Sequence, residues 1–252
     1  MLNIICQKTN DFISEMPKTL RKGYGQFFTS VETARFMASL FDLTSLKKSV
    51  SILDAGAGSG ILAISIAERI LRQDSSIKVE IVCYENDSHV LPLLRSNLEL
   101  VKKEYKRLSY EIIEDNYILS QRDSFNGDLF ASESKKYDLI IGNPPYKKIS
   151  KDAPEALAMP EVCHGAPNLY FLFAAMGMFN LKDGGELVYI MPRSWTSGAY
   201  FRRFRKKMLH EGALERMHLF IGRDGVFGSE DVLFMGFGMR SSLMYLLLSE
   251  PQ

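Results

Sequence analysis

The chain has 252 residues, 46% apolar and 24% charged, with 31 basic against 30 acidic side chains for a net charge of +1. A chain this long buries roughly 70–75% of the surface its unfolded form exposes, which excludes any need for disulfides or a structural metal to supply a core. A balance this close to neutral leaves nucleic-acid binding to local patches rather than to bulk charge. Cys6, Cys83 and Cys163 lie far apart with no close-spaced pair, a poor fit to a disulfide framework or a zinc site. The first residues lack the basic and continuous apolar stretches of a signal peptide, and no run reaches the ~18–20 apolar residues of a membrane span. The expectation is a cytoplasmic protein with no membrane segment and no metal.

In chain order, residues 1–20 read as polar with a short helix, and 21–30 as a glycine-rich loop with two aromatics. A helix follows over 31–43, with Ser30 able to cap it. Next come a strand at Val50–Leu53, a glycine loop at 56–60, a helix at Ile61–Leu71, a strand at Val79–Tyr84 and a helix over about 88–103. Strands at Tyr110–Ile113 and Tyr137–Ile141 precede a proline-rich loop over 143–167, expected to be a mobile flap. A helix at Leu169–Leu181, a strand at Glu186–Met191, a basic helix near 200–209 and strands at Leu214–Phe220 and Val232–Phe237 complete the pattern. Short apolar strands alternating with helices of ten to fifteen residues predict an α/β fold, a doubly wound, mostly parallel seven-stranded sheet with six parallel positions. The domain reading is a helical segment with a covering loop at 1–48, the main domain at 49–237 and an unassigned tail at 238–252.

The segment ILDAGAGSG, 52–60, follows a strand and opens a helix. Its glycines permit a tight turn and close approach of a ligand. The spacing is neither the G-x-G-x-x-G dinucleotide fingerprint nor a Walker loop. Asp54, at the strand end, can order the loop or attract a cationic group. Glu85 ends the second strand, where a carboxylate meets the two ribose hydroxyls of an adenosine. Asn86 and Asp87 follow it, and one of them caps the next helix. Asp115, with Asn116 beside it, follows the third strand and can accept the adenine amine; Glu114 and Asp128 compete for that role. Three carboxylates repel phosphate. They suit an adenosine with a positive centre and no phosphates, and S-adenosylmethionine meets that description.

The strand DLIIG runs into Asn143-Pro144-Pro145-Tyr146. Consecutive prolines stiffen the turn, and Pro144 keeps Asn143 out of the helical region. A conjugated exocyclic amine is a poor nucleophile. The Asn143 side-chain oxygen and the Pro144 carbonyl can each accept one of its N–H bonds, restoring electron density to nitrogen. The ring of Tyr146 can stack on the base that carries the amine.

These motifs resemble the N6-adenine DNA methyltransferases of restriction–modification systems, in the class that places its cofactor motifs before its target-recognition domain. Gly25-Gln26-Phe27-Phe28-Thr29, with Ser30 where that family has proline, resembles the element covering the methionine end of the cofactor; 54–60, Glu85, Asp115 and 143–146 resemble the motifs that follow. The resemblance spans about residues 20–237 and implies a methyltransferase fold of Rossmann-like type. It implies S-adenosylmethionine contacts from Gln26, Phe27, Thr29, Asp54, Ala55, Gly56, Gly58, Glu85, Asn86, Asp115 and Asn116. It implies catalysis by Asn143, Pro144, Pro145 and Tyr146. Substrate contacts would come from Tyr146, Phe227, Lys147 and Lys148, with Phe220 an alternative to Phe227. The implied partner is double-stranded DNA with a flipped adenine. Such enzymes continue into a DNA-reading domain that these residues do not contain, so a separate recognition subunit or a truncated chain is expected. A basic rim from Arg21, Lys22, Lys147, Lys148, Lys151, Arg193 and the 202–207 cluster could hold phosphates, although a solvated helix face explains 202–207 equally well. Glutamine-N5 protein methylation, RNA base methylation and an inactive cofactor-binding fragment are the competing readings.

Overall fold

The structure, a computed structural model, describes residues 1–17, 28–219, 232–239 and 246–248. The chain divides into two compact units, Met1–Asp115 and Asn116–Gln252. The first holds α1 (Leu2–Glu15), α2 (Val31–Ser39), β1 (Ser49–Ala55), α3 (Ile61–Gln73), β2 (Lys78–Tyr84), α4 (Leu91–Glu104) and β3 (Leu108–Ile113). Its strands pair in parallel, β1 with β2 from Ser49↔Lys78 to Ala55↔Tyr84 and β2 with β3 from Val79↔Leu108 to Tyr84↔Ile113. After its first residue β1 is buried throughout, as a strand covered on both faces must be. Ser30 caps α2 as its sequence position predicts, with Oγ accepting from the Thr33 amide at 3.2 Å. The N-terminal helix is fuller than expected, with fourteen residues, and it buries Leu2, Ile5 and Thr9.

The second unit contains α5 (Tyr117–Ser120), α6 (Arg122–Phe125), β4 (Tyr137–Gly142), α7 (Pro154–Ala158), α8 (Leu169–Phe179), β5 (Leu181–Pro192), two single turns of tight helix at 193–201, α9 (Arg202–Glu211), β6 (Gly212–Leu219), β7 (Val232–Met239) and β8 (Leu246–Leu248). Helix α8, LYFLFAAMGMF, is apolar nearly all round and is buried accordingly. It stops two residues earlier than its composition suggests. Asn180 is fully buried there and fixed at both ends, accepting from Tyr117 Oη at 2.8 Å and donating to the Lys135 carbonyl at 3.2 Å. Leu181 is thereby released to open β5 opposite Tyr137.

Strands β4 and β5 are parallel, whereas β7 runs antiparallel to both β5 and β6. No helix lies among the described residues between β6 and β7, and a parallel return needs a long crossover. The described residues form eight strands, against the seven predicted; the extra one, β8, lies in the tail the sequence left unassigned.

The 143–167 loop, expected as a mobile flap, carries structure of its own. It contains α7, and its ends pair through Lys148↔Asn168, with the Ile149 amide donating to Pro167 and the Leu169 amide to Lys147. Arg203 donates to the Pro160 and Cys163 carbonyls, Tyr200 Oη donates to the Ala166 carbonyl, and Met159 and Val162 are buried beneath. This also settles much of the 202–207 cluster. Arg203 ties down the loop, Arg205 donates to the Trp195 and Ser197 carbonyls, and Lys207 pairs with Glu161 and Glu211. These three cations serve the protein's own backbone and acids.

Candidate active site

In the first unit the glycine loop is clipped from three directions. Glu85, 7% exposed, accepts from the Gly58 amide through Oε2 and from the Asp87 amide through Oε1, each at 2.9 Å. The Asn86 amide also favours this carboxylate, which with about four lone-pair positions keeps acceptor capacity for a hydroxyl donor. Burial is the main cause that raises the Glu85 pKa, partly offset by those amide donors. Gly58 has φ +55°, and the Phe28 ring lies where its Cβ would make contact, with carbon atoms at 3.7 and 3.9 Å. Phe28 in turn meets Phe12 of α1 edge-on, with centroids 6.4 Å apart. From below, Asn97 Nδ2 on α4 donates to the Ser59 carbonyl at 2.9 Å. Asn97 is fully buried and has no sequence signal beyond being a polar residue on the apolar stripe of α4.

Asp54 is placed to order the loop, one of the two roles its sequence position offered. It is 1% exposed, and its Oδ2 accepts from the Ala63 amide at 3.2 Å. Gly60 is the N-cap of α3 and has no side chain to offer, so Asp54 satisfies one of the donors that every helix start leaves open. Burial first, and Glu85 nearby, push its pKa from the ordinary 3.8 to about 8. The folded state then holds a proton that the unfolded chain has released. Stability falls as pH rises from about 4 to about 8, with no contribution below that window. Asp54→Asn keeps an acceptor for Ala63 and removes this decline. Its melting temperature is expected to exceed that of the parent by roughly 5 °C near pH 8 and to approach it near pH 4. Melting curves that stay parallel across the range would refute the assignment.

The remaining predicted residues of this unit fall as follows. Thr29 and Ala55 are buried, and the Gly56 amide donates to the Tyr84 carbonyl at 2.8 Å. Asn86 follows Glu85 and is exposed, while Asp87 caps the next turn by accepting from the His89 amide at 2.9 Å. Asp115 is exposed just beyond β3. Gln26 and Phe27 lie outside the described residues.

In the second unit β4 delivers Asn143-Pro144-Pro145-Tyr146. Gly142 pairs with Tyr189 of β5, and a Cβ at 142 would stand 2.5 Å from the Tyr189 ring, so the chain enters the turn flat against an aromatic face. Asn143 is half-buried and Pro144 buried. Tyr146 Oη lies 3.0 Å from Asn143 Oδ1 and 3.0 Å from the Ile190 carbonyl oxygen. Its ring meets Tyr170 edge-on, centroids 6.1 Å apart, and the Tyr170 hydroxyl lies 3.0 Å from Ser194 Oγ. Tyr170 and Ser194 were not singled out from sequence as supports for Tyr146. Lys147 and Lys148 are exposed immediately after the turn. Asn116 Oδ1 caps α5 through the Ile118 and Leu119 amides, and its Nδ2 donates to Glu155. Phe227 and Phe220 lie outside the described residues.

The α/β fold, with parallel strands and helices between them, is one that solved S-adenosylmethionine-dependent methyltransferases share. The crystal structure of a putative class I S-adenosylmethionine-dependent methyltransferase from Listeria monocytogenes has that fold. It matches with TM-score 0.63 and 18% identity, covering 92% of this chain and 68% of that one. The chain belongs to the Eco57I restriction-modification methylase family, which it matches over residues 20–227. It is 35% identical to the Type II methyltransferase M.BsuBI of Bacillus subtilis over 211 residues, 83% of this chain and 42% of that protein. It is also 35% identical to M.PstI of Providencia stuartii over 239 residues, 92% and 46% of the respective chains. The chain thus spans less than half the length of these two relatives. No helix among the described residues is long and apolar enough to cross a membrane.

Proposed function

We propose that this chain is the catalytic part of a restriction–modification methyltransferase that transfers a methyl group from S-adenosylmethionine to the N6 amine of adenine in DNA. The observation that carries the reading is the Asn143-Pro144-Pro145-Tyr146 turn, held between Ile190 and Tyr170 in a chain of the methylase family. The residues of the glycine loop suit the cofactor. Gly58 offers an approach without a side chain, Glu85 retains lone pairs for ribose hydroxyls, and Asp115 stands exposed as an acceptor for the adenine amine. When bound, the cofactor supplies an electrophilic methyl group on a cationic sulfur. The protein's part is to bind it and to hold the target amine. Asn143 Oδ1 and the Pro144 carbonyl accept its two N–H bonds, and the Tyr146 ring stacks on an adenine turned out of the duplex. Lys147 and Lys148 hold phosphates beside the turn. Gln26, Phe27, Thr29 and Phe227 keep the cofactor and base contacts that the resemblance implies. Reading of the target sequence falls to a further segment or a separate subunit.

The experiment is methyl transfer from radiolabelled S-adenosylmethionine to duplex DNA, with digestion to nucleosides, run with the chain alone and with a DNA-recognition subunit added. Label is expected in N6-methyladenine. Label confined to cytosine, to RNA or to glutamine in protein would overturn the proposal.

A further inference from the structure

Tyr146 has one hydroxyl proton and two acceptors at equal distance, Asn143 Oδ1 and the Ile190 carbonyl, each 3.0 Å away. One proton can point well at only one of them, and the other contact then sets oxygen lone pairs against each other. A half-turn of the Asn143 amide about its outer side-chain bond resolves the conflict, because Nδ2 and Oδ1 have nearly the same shape. Nδ2 then donates to Oη, and Oη donates to Ile190, so each donor meets one acceptor. The same half-turn carries Oδ1 to the side of the amide facing away from Tyr146. The hydroxyl can act as the fixed point of this exchange, since Tyr146 packs edge-on against Tyr170, itself 1% exposed and bonded to Ser194.

We propose that Tyr146 orients the Asn143 amide: its hydroxyl takes a hydrogen bond from Nδ2, passes its own to the Ile190 carbonyl, and so presents Oδ1 to the incoming amine. The inference rests on the reading of Asn143 as the acceptor for that amine. It makes Tyr146 a positioning residue in addition to a stacking platform, and its hydroxyl a part of the apparatus that stacking alone does not require.

Two measurements test it. The first needs no activity: the side-chain NH2 signals of Asn143 in a ¹⁵N–¹H spectrum of the whole chain, assigned by their loss in Asn143→Asp. In Tyr146→Phe these signals are expected to shift and their protons to exchange faster with water, while S-adenosylhomocysteine binding is unchanged. The second is single-turnover methyl transfer at saturating cofactor and DNA. Tyr146→Phe is expected to be about tenfold slower, the loss of roughly one net hydrogen bond. In an Asn143→Ala background the same change is expected to have no further effect, because no amide remains to be oriented. Unshifted Asn143 signals, or an equal rate loss in both backgrounds, would overturn the orienting role. If the parent chain with its recognition subunit transferred nothing to adenine, the functional reading would fail, and the spectrum would still decide what the hydroxyl does to the amide.

Discussion

Asn143→Ala is expected to slow the methyl-transfer step by about a hundredfold or more while leaving cofactor affinity within twofold, by analogy with the loss of one preorganised acceptor or donor at a site of developing charge. The argument is geometric. Asn143 sits at the end of a strand whose last residue, Gly142, is pressed against the Tyr189 ring, and is followed by two prolines that fix the backbone. The substitution removes the amide without moving the chain, and it touches none of the contacts that clip the glycine loop. A single-turnover rate close to that of the parent, with DNA and cofactor saturating, would remove this residue from the chemistry. An equal loss in cofactor affinity would relocate its role to binding.

Glu85→Ala is expected to weaken S-adenosylhomocysteine binding by about a hundredfold or more, since a hydrogen bond to a charged group contributes roughly 1.5–3 kcal/mol and more than one is lost. The effect is larger than the ribose contacts alone would give. The same two oxygens hold the Gly58 and Asp87 amides, so the mutant loses the shape of the loop as well as the ligand's partner. Glu85→Gln keeps one acceptor end and turns an N–H donor toward a backbone N–H, so it is expected to recover little. Calorimetry gives the affinities, and hydrogen exchange at the Gly58 amide reports the loop separately. Unchanged affinity in a folded Glu85→Ala protein would exclude the ribose assignment; unchanged exchange at Gly58 would exclude the clip.

The sequence exposed the parts of this fold whose signals are local. Alternating apolar strands and helices located seven of the eight described strands, and Ser30 and the glycine loop announced the starts of α2 and α3. Asp54, Glu85 and Asn143 were legible because each stands at a strand end beside a turn. What pattern reasoning missed is set by partners far along the chain. Asn180 ends α8 early through Tyr117 and Lys135, and the proline-rich loop is tied down by Arg203 and Tyr200. Asn97 supports Ser59 from thirty-eight residues away, and Tyr146 finds Ile190 at a separation of forty-four. Asp54 and Asn116 also accept from the amides at helix starts, because a short acceptor side chain at a strand or bend end suits that task; for Asp54 this is one of the two roles its position offered.

Tyr189 reaches two glycines at once. A Cβ at Gly142 would stand 2.5 Å from its ring, and one at Gly177 would stand 3.2 Å from its hydroxyl oxygen and 2.7 Å from Leu187 Cδ1. The three positions therefore do not vary independently: the order of replacement matters. A library that diversifies 142 while keeping tyrosine at 189 should return glycine almost alone, whereas one that first trims 189 to valine opens room for alanine at 142. A designer who wants to reshape the chain's entry into the Asn-Pro-Pro-Tyr turn has to begin one strand away, at a side chain with no exposure to solvent.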